Sequence, residues 1–274
     1  NPEMALSIYD SISSPKYESL INERKIYLYK QLGRTDLLID DLKLIQKREP
    51  FNTQVAREIF QIYLEEKKMN EAIDYMSIVD TLYYGQEQET YYLLLTSALL
   101  QIRPIDTIIV EKYLNQIKGT LLFNSELMYY SGLLASNIGN IQKRDLFFNK
   151  VLKIAPKNSD FKVGVAEAYY FDSENELSLK ILENVDPDSL KQSLYYYTLK
   201  GMNYSILKNY PEAINSYEFV LSQDTSFNNF ITLTMLGEVF DMKGNLDSAL
   251  YYYNLHYNYD NNSTYLLNNY AYTL

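Results

Sequence analysis

One pattern recurs along the whole chain and limits what it can fold into. Ala5, Leu38, Ala72, Ile109, Arg144, Ser178, Ala213 and Ala249 follow one another at intervals of 33 to 37 residues. Four residues after each stands a large side chain: Tyr9, Leu42, Met76, Tyr113, Phe148, Leu182, Tyr217 and Tyr253. Three further on the residue is mostly β-branched: Ile12, Ile45, Val79, Gln116, Val151, Val185, Val220 and His256. Steps of four and then three lie on one face of an α-helix, so each set predicts a helix with three inward positions. Upstream of most of these helices lies a second amphipathic segment, in which a small residue is followed three later by a bulky one. Examples are Ala166 and Tyr169, Gly201 and Tyr204, Gly237 and Phe240, and Ala271 and Leu274, with Gly132 and Ala135 a weaker case. The small residue lets two helix backbones approach, and the aromatic fills the space beside it. One such helix pair cannot bury its apolar stripe alone, so neighbours must stack and share a core running along the array.

The punctuation agrees with the periodicity. GNIQKRDLFFNKVLKIAP (139–156) and GRTDLLIDDLKLIQKREP (33–50) each run from a turn glycine to a helix-stopping proline 17 residues later. Looser copies start at Lys208 and Gly244, and shorter ones at Asn1 and Asn175. With only 9 glycines and 7 prolines in 274 residues, long regular elements should dominate. No apolar run approaches the roughly 18 residues of a membrane span.

TLKGMNY with PEAINSYEFVLSQD (198–224) and TMLGEVF with LDSALYYYNLHYNYD (234–260) resemble the tetratricopeptide repeat family. Its pattern is a small-x-x-aromatic pair in a first helix, then alanine, an aromatic and a terminating proline in a second. The resemblance covers nearly the whole chain and implies an all-α, right-handed superhelical solenoid of stacked helix–turn–helix repeats, about sixteen helices in a single domain over 1–274. Its divisions are a half-repeat at 1–15, units at about 17–50, 52–84, 87–119, 123–156, 159–190, 193–225 and 228–260, and a partial unit at 263–274. The chain departs from the pattern in having no tryptophan, in placing Arg144 where a small residue belongs, and in lacking the glycine–aromatic pair in units 17–50 and 87–119.

The same resemblance puts the first helices on the concave face. Stepping from the small residue gives the groove candidates Tyr129, Leu133, Glu167, Tyr170, Thr198, Met202, Thr234, Glu238, Asp241, Asn268 and Tyr272, flanked by Ser136, Val163 and Ser205. These are tyrosines, small hydroxyls and carboxylates without a lysine or arginine, a surface suited to an apolar protein segment with some basic character. The plainer alternative is a solvated inner face whose tyrosines merely cover neighbouring helices. Members of the family that clamp the C-terminal carboxylate of chaperones use lysine, arginine and asparagine on this face, so that role is not expected here.

Composition excludes most other chemistry. There is no cysteine and one histidine, which removes disulfides, thiolate chemistry and most triads and metal sites; no enzyme activity, cofactor or metal is expected. His256 falls on a core position and reads as a packed histidine. A net charge of −10 disfavours nucleic acid and anionic lipid. The runs Tyr195–Tyr197 and Tyr251–Tyr253 read as packing, and Asp36, Asp40, Asp41, Glu65 and Glu66 as solvated faces. Asp-Ser or Asp-Thr before an apolar residue, at Asp10, Asp106 and Asp188, reads first as capping and only secondarily as a bacterial O-glycosylation signal.

The expected function is a non-catalytic protein–protein scaffold whose partner is a protein or peptide segment. NPEMALSIYDSI and LLNNYAYTL also resemble bacterial cell-envelope tetratricopeptide proteins, often lipoproteins, which implies a periplasmic or outer-membrane-anchored setting, with the cytoplasm as the alternative. Two rival expectations are the sensory part of a membrane-linked regulator and an accessory array for an enzyme domain outside this chain. The helix around 263–274 has an unmatched apolar face and is a candidate for self-association.

Overall fold

The computed structural model of the protein describes residues 1–12, 15–186, 194–223 and 230–273. Among them are sixteen α-helices, two short 3-10 turns and no strand. They form two compact units, Asn1–Arg144 and Asp145–Leu274. The first holds α1 (Pro2–Ser11), α2 (Glu18–Leu32), α3 (Thr35–Arg48), α4 (Thr53–Glu65), α5 (Met69–Leu82), α6 (Gln86–Gln101), α7 (Thr107–Leu114) and α8 (Ser125–Asn137). The boundary falls inside α9 (Ile141–Ile154). The second continues with α10 (Ser159–Phe171), α11 (Asn175–Leu182), α12 (Leu194–Ile206), α13 (Tyr210–Gln223), α14 (Phe230–Met242), α15 (Leu246–Tyr257) and α16 (Thr264–Thr273).

Asparagine starts many of these helices. The side-chain oxygens of Asn52, Asn124, Asn140, Asn158 and Asn245 each accept a backbone N–H three residues on, at 2.8 to 3.2 Å. That satisfies a donor which the first turn would otherwise leave free. Asp106 does the same for α7, accepting from the N–H groups of Ile108 and Ile109, so the Asp-Thr-apolar segment there is a cap. At Asp10 the following Ser11 instead closes the end of α1, its hydroxyl donating to the Ile8 carbonyl at 2.7 Å. Asp188 lies outside the described residues.

First and second helices are joined by one turn used six times. Gly33, Lys67, Gly139, Ser173, Lys208 and Gly244 all have φ between 56° and 80°. The next residue in each case donates its N–H back across the turn, Arg34 to Tyr29, Lys68 to Tyr63, Asn140 to Ala135, Glu174 to Tyr169, Asn209 to Tyr204 and Asn245 to Phe240, at 2.8 to 2.9 Å. This is the Schellman arrangement, which uses up orphan carbonyls at the helix end and reverses the chain within two residues. The pair α6 and α7 is the exception. Its connection contains a cis bond at Arg103–Pro104, and α7 stops at Leu114, so Gln116 lies beyond the helix and donates to the Ile73 carbonyl instead.

Most of the inward series is buried as its spacing requires; the main exception is α1, where Leu6 is the core residue, Ala5 and Tyr9 are half-buried and Ile12 is exposed. Ala72, Met76 and Val79 on α5, Ala213, Tyr217 and Val220 on α13, and Ala249, Tyr253 and His256 on α15 are all core. The small residue of the first helix meets the bulky residue of the second directly. A Cβ on Gly201 would stand 2.5 Å from the Tyr217 ring, and one on Gly237 would stand 2.5 Å from the Tyr253 ring. In the second unit each hairpin also stacks on the next, with α10, α12, α14 and α16 packed side by side in that order. His256 is buried, its Nδ1 2.5 Å from the Thr234 hydroxyl and its ring stacked on Phe230. Burial holds its pKa below the ordinary imidazole value.

Gly201→Ala and Gly237→Ala should each cost about 1–3 kcal/mol, because the ring opposite is itself enclosed. Urea denaturation of the single variants measures this, and a loss well below that range would mean the hairpins separate easily. Lys208→Gly should act in the other direction and add about 1 kcal/mol, since it relieves a left-handed backbone that a side chain disfavours. The same melts, with Gly139→Ala as the reverse substitution, check the sign.

Candidate functional site

In the second unit the row α10, α12, α14, α16 carries most of the groove candidates, and their polar atoms bridge adjacent first helices. Glu167 on α10 accepts from the Tyr195 hydroxyl on α12. Glu238 on α14 accepts from Asn269 of α16 at 2.6 Å, and the Tyr265 hydroxyl also donates to it. Asp241 accepts from Thr273 at 3.2 Å. Tyr170 is half-buried, and burial, followed by the nearby Glu238 charge, pushes its phenol above the ordinary range. Met202 packs against the core formed by Ala213, Tyr217, Leu236 and Val239. Thr198 is half-buried and bonds its own helix, donating to the Leu194 carbonyl at 3.1 Å.

Three candidates sit differently from expectation. Thr234 is fully buried against His256, so it faces α15 and lines no open surface. Asn268 and Tyr272 are exposed, Tyr272 at 86%, and the side chains of α16 that reach α14 are Tyr265, Asn269 and Thr273. The reason is that Leu266 and Tyr270 are drawn onto Tyr253 of α15, which turns the next stripe of the helix toward α14. Tyr265, Asn269 and Thr273 are spaced four apart, a stripe visible in the sequence once that anchoring pair is recognised. Ala271, expected as the small interface residue, is exposed, and Leu274 lies outside the described residues.

Tyr129 and Leu133 belong to the first unit, half-buried on α8, with the Tyr129 ring 5.4 Å from that of Tyr130. First helices here carry charges that the sequence reading missed. Lys30 pairs with Glu58 at 2.5 Å and Arg57 with Glu87 at 2.9 Å, joining α2 to α4 and α4 to α6. Lys30 stands three residues before its turn residue, as Ser205 and Asp241 do before theirs. Without a glycine–aromatic pair to set the phase in 17–50, that equivalence was hidden. A ladder of ion pairs also runs through this unit, Glu3 with Arg34, Asp36 with Lys68 and Asp74 with Lys112 at the surface and Glu111 with Lys143 half-buried. Each rung contributes little singly. Among the described residues no three histidine, aspartate or glutamate side chains converge as metal ligands would.

No protein-family model and no curated protein sequence matches the chain. Solved structures do. Residues 41 to the end of MamA from Desulfovibrio magneticus RS-1 are 16% identical, over 77% of this chain and 96% of that one, with a TM-score of 0.50. YrrB, described as a tetratricopeptide protein with an unusual peptide-binding site, is 12% identical over 85% and 98%, also at 0.50. The fold is that of the tetratricopeptide repeat. A tetratricopeptide protein from Parabacteroides merdae ATCC 43184 is similar too, 18% identical over 95% of this chain and 99% of that one at a TM-score of 0.45.

On this tetratricopeptide scaffold the electrostatics of Glu238 are the most distinctive feature of the first-helix row. Burial raises its pKa above the ordinary 4.5, against the lowering effect of the Tyr265 hydrogen bond. The folded state therefore holds a proton that the unfolded chain has already released. Its contribution to stability is present in full below 4.5 and declines as the pH rises through the folded value. Glu238→Gln should melt higher than the parent near neutral pH, with the gap closing as the pH falls toward 4.5. Thermal melts of both proteins across that interval test it; a variant that melts lower at neutral pH would show the carboxylate to be net stabilising.

Proposed function

We propose that the chain is a non-catalytic protein-binding scaffold, and that in the second unit a partner segment lies along the row α10, α12, α14 and α16. One observation carries this reading. Glu167, Glu238 and Asp241 form a line of half-buried carboxylates whose hydrogen bonds come from neutral Tyr195, Tyr265, Asn269 and Thr273, and none of the three is ion-paired among the described residues. Partly desolvated, uncompensated negative charge beside the half-exposed Tyr170 and Met202 favours an apolar segment that brings a lysine or arginine. The peptide-binding site described for YrrB supports the general reading, since it shares this fold. Tyr129 and Leu133 offer a smaller apolar patch of the same kind in the first unit. The proposal keeps the cell-envelope setting implied by the resemblance of NPEMALSIYDSI and LLNNYAYTL; no helix among the described residues is long and apolar enough to cross a membrane.

Affinity capture from lysate of the source organism, followed by cross-linking, tests the proposal. A partner should be held by the parent protein and lost by Glu167→Lys with Asp241→Lys, provided the variant keeps its helical melt. Retention of the partner by that variant would refute the groove, and an absence of any captured partner would count against the scaffold itself.

A further inference from the structure

The first unit contains a cleft of about 620 Å³ between α3 and α5, on the second-helix side of the array. Phe51 and Ile78 form apolar walls, and both are exposed, at 77% and 38%. Lys43 and Lys47 stand at its edge, and no aspartate or glutamate lines it, in a chain where acids outnumber bases 35 to 25. Neither lysine is ion-paired among the described residues; the Lys43 ammonium lies 5.7 Å from the Tyr63 ring. Gln46, 8% exposed, lies at the base. Its side chain is hydrogen-bonded to the Tyr75 hydroxyl at 2.8 Å, which holds it at the floor of the cleft.

A cleft of about 590 Å³ occupies the corresponding place between α9 and α11 in the second unit and serves as an internal comparison. There Asp145 lines the wall beside Lys162 and Lys180, and the Tyr169 hydroxyl donates to Asp145 at 3.0 Å. Its charges are of both signs. Of these two clefts, the one between α3 and α5 combines apolar walls with lysines and has no carboxylate in its lining.

We propose that the α3–α5 cleft is a second docking site, for a protein segment that presents an apolar side chain next to one or more carboxylates. The apolar side chain packs between Phe51 and Ile78, and the carboxylates face Lys43 and Lys47. Its preferred charge is opposite to that of the first-helix row in the second unit, so the two sites select different ligands.

A random dodecapeptide library displayed on phage, panned against the immobilised full chain, is the direct test. Enriched sequences should place an aspartate or glutamate beside a large apolar residue. A synthetic peptide of that sequence should bind about tenfold more weakly, or worse, to Lys43→Glu with Lys47→Glu and to Phe51→Ser with Ile78→Ser. These four side chains are exposed, and circular dichroism melts confirm that both variants fold. The charge-reversed variant should enrich basic sequences instead, and Glu167→Lys with Asp241→Lys should leave the acidic peptide's affinity unchanged. Enrichment without an acidic bias, binding by the cleft variants as tight as by the parent, or no cleft-dependent enrichment at all would overturn the proposal, and none of these outcomes bears on the first-helix groove.

Discussion

The contact on which the second unit depends is the seating of a tyrosine ring on a glycine. Where Gly201 meets Tyr217 and Gly237 meets Tyr253, no atom can be added to the first helix without moving an enclosed ring. That contact sets how near the two helices of a hairpin lie, and the distance in turn sets where the following first helix can pack. Glu238 and Asp241 stand on the helix that Gly237 seats in this way, whereas Glu167 stands on α10, where Ala166 takes the glycine's place. In the hairpins α2–α3 and α4–α5 of the first unit the sizes are exchanged: Ile26 and Phe60 stand in the glycine's place, and Leu42 and Met76, flexible side chains without a ring, stand in the tyrosine's.

The architecture was legible in the sequence because stacked repeats make the same demand many times. Each inward triplet was visible at a spacing of four and three, and most of its members are core. The turns were legible only in part. Gly33, Gly139 and Gly244 announce a left-handed residue, whereas Lys67, Ser173 and Lys208 adopt the same φ without any such signal. Their conformation is dictated by the hydrogen bonds of the turn and the packing on either side, not by the preference of the residue. Five asparagines that the repeat pattern does not single out are helix caps.

The candidate groove was legible less well, for a geometric reason. Counting from the small residue finds the correct helix, but a one-residue rotation exchanges a groove position for a core or solvent position. Thr234 was lost to the core in this way, and on α16 the facing stripe belongs to Asn269 and Thr273, each one residue after Asn268 and Tyr272. What decides the rotation is a long-range contact, Tyr270 on Tyr253, which no local pattern encodes. The charged first helices of the opening unit escaped for a related reason, since phase there had no glycine to fix it.

The abundance of enclosed tyrosine has a consequence for how the molecule can be watched. With 29 tyrosines and no tryptophan, its ultraviolet signal is phenolic throughout. Burial pushes the phenols of Tyr75, Tyr92, Tyr113 and Tyr217 above their ordinary value of 10, and that of Tyr253 up to about 12. Each such group withdraws stability as the pH climbs past 10, because the unfolded chain can ionise where the folded one cannot. Alkali therefore acts on this fold from the inside. Because exposed rings such as Tyr84 and Tyr272 absorb as well, it is the share of the phenolate rise that coincides with loss of helical circular dichroism that records the hairpins coming apart.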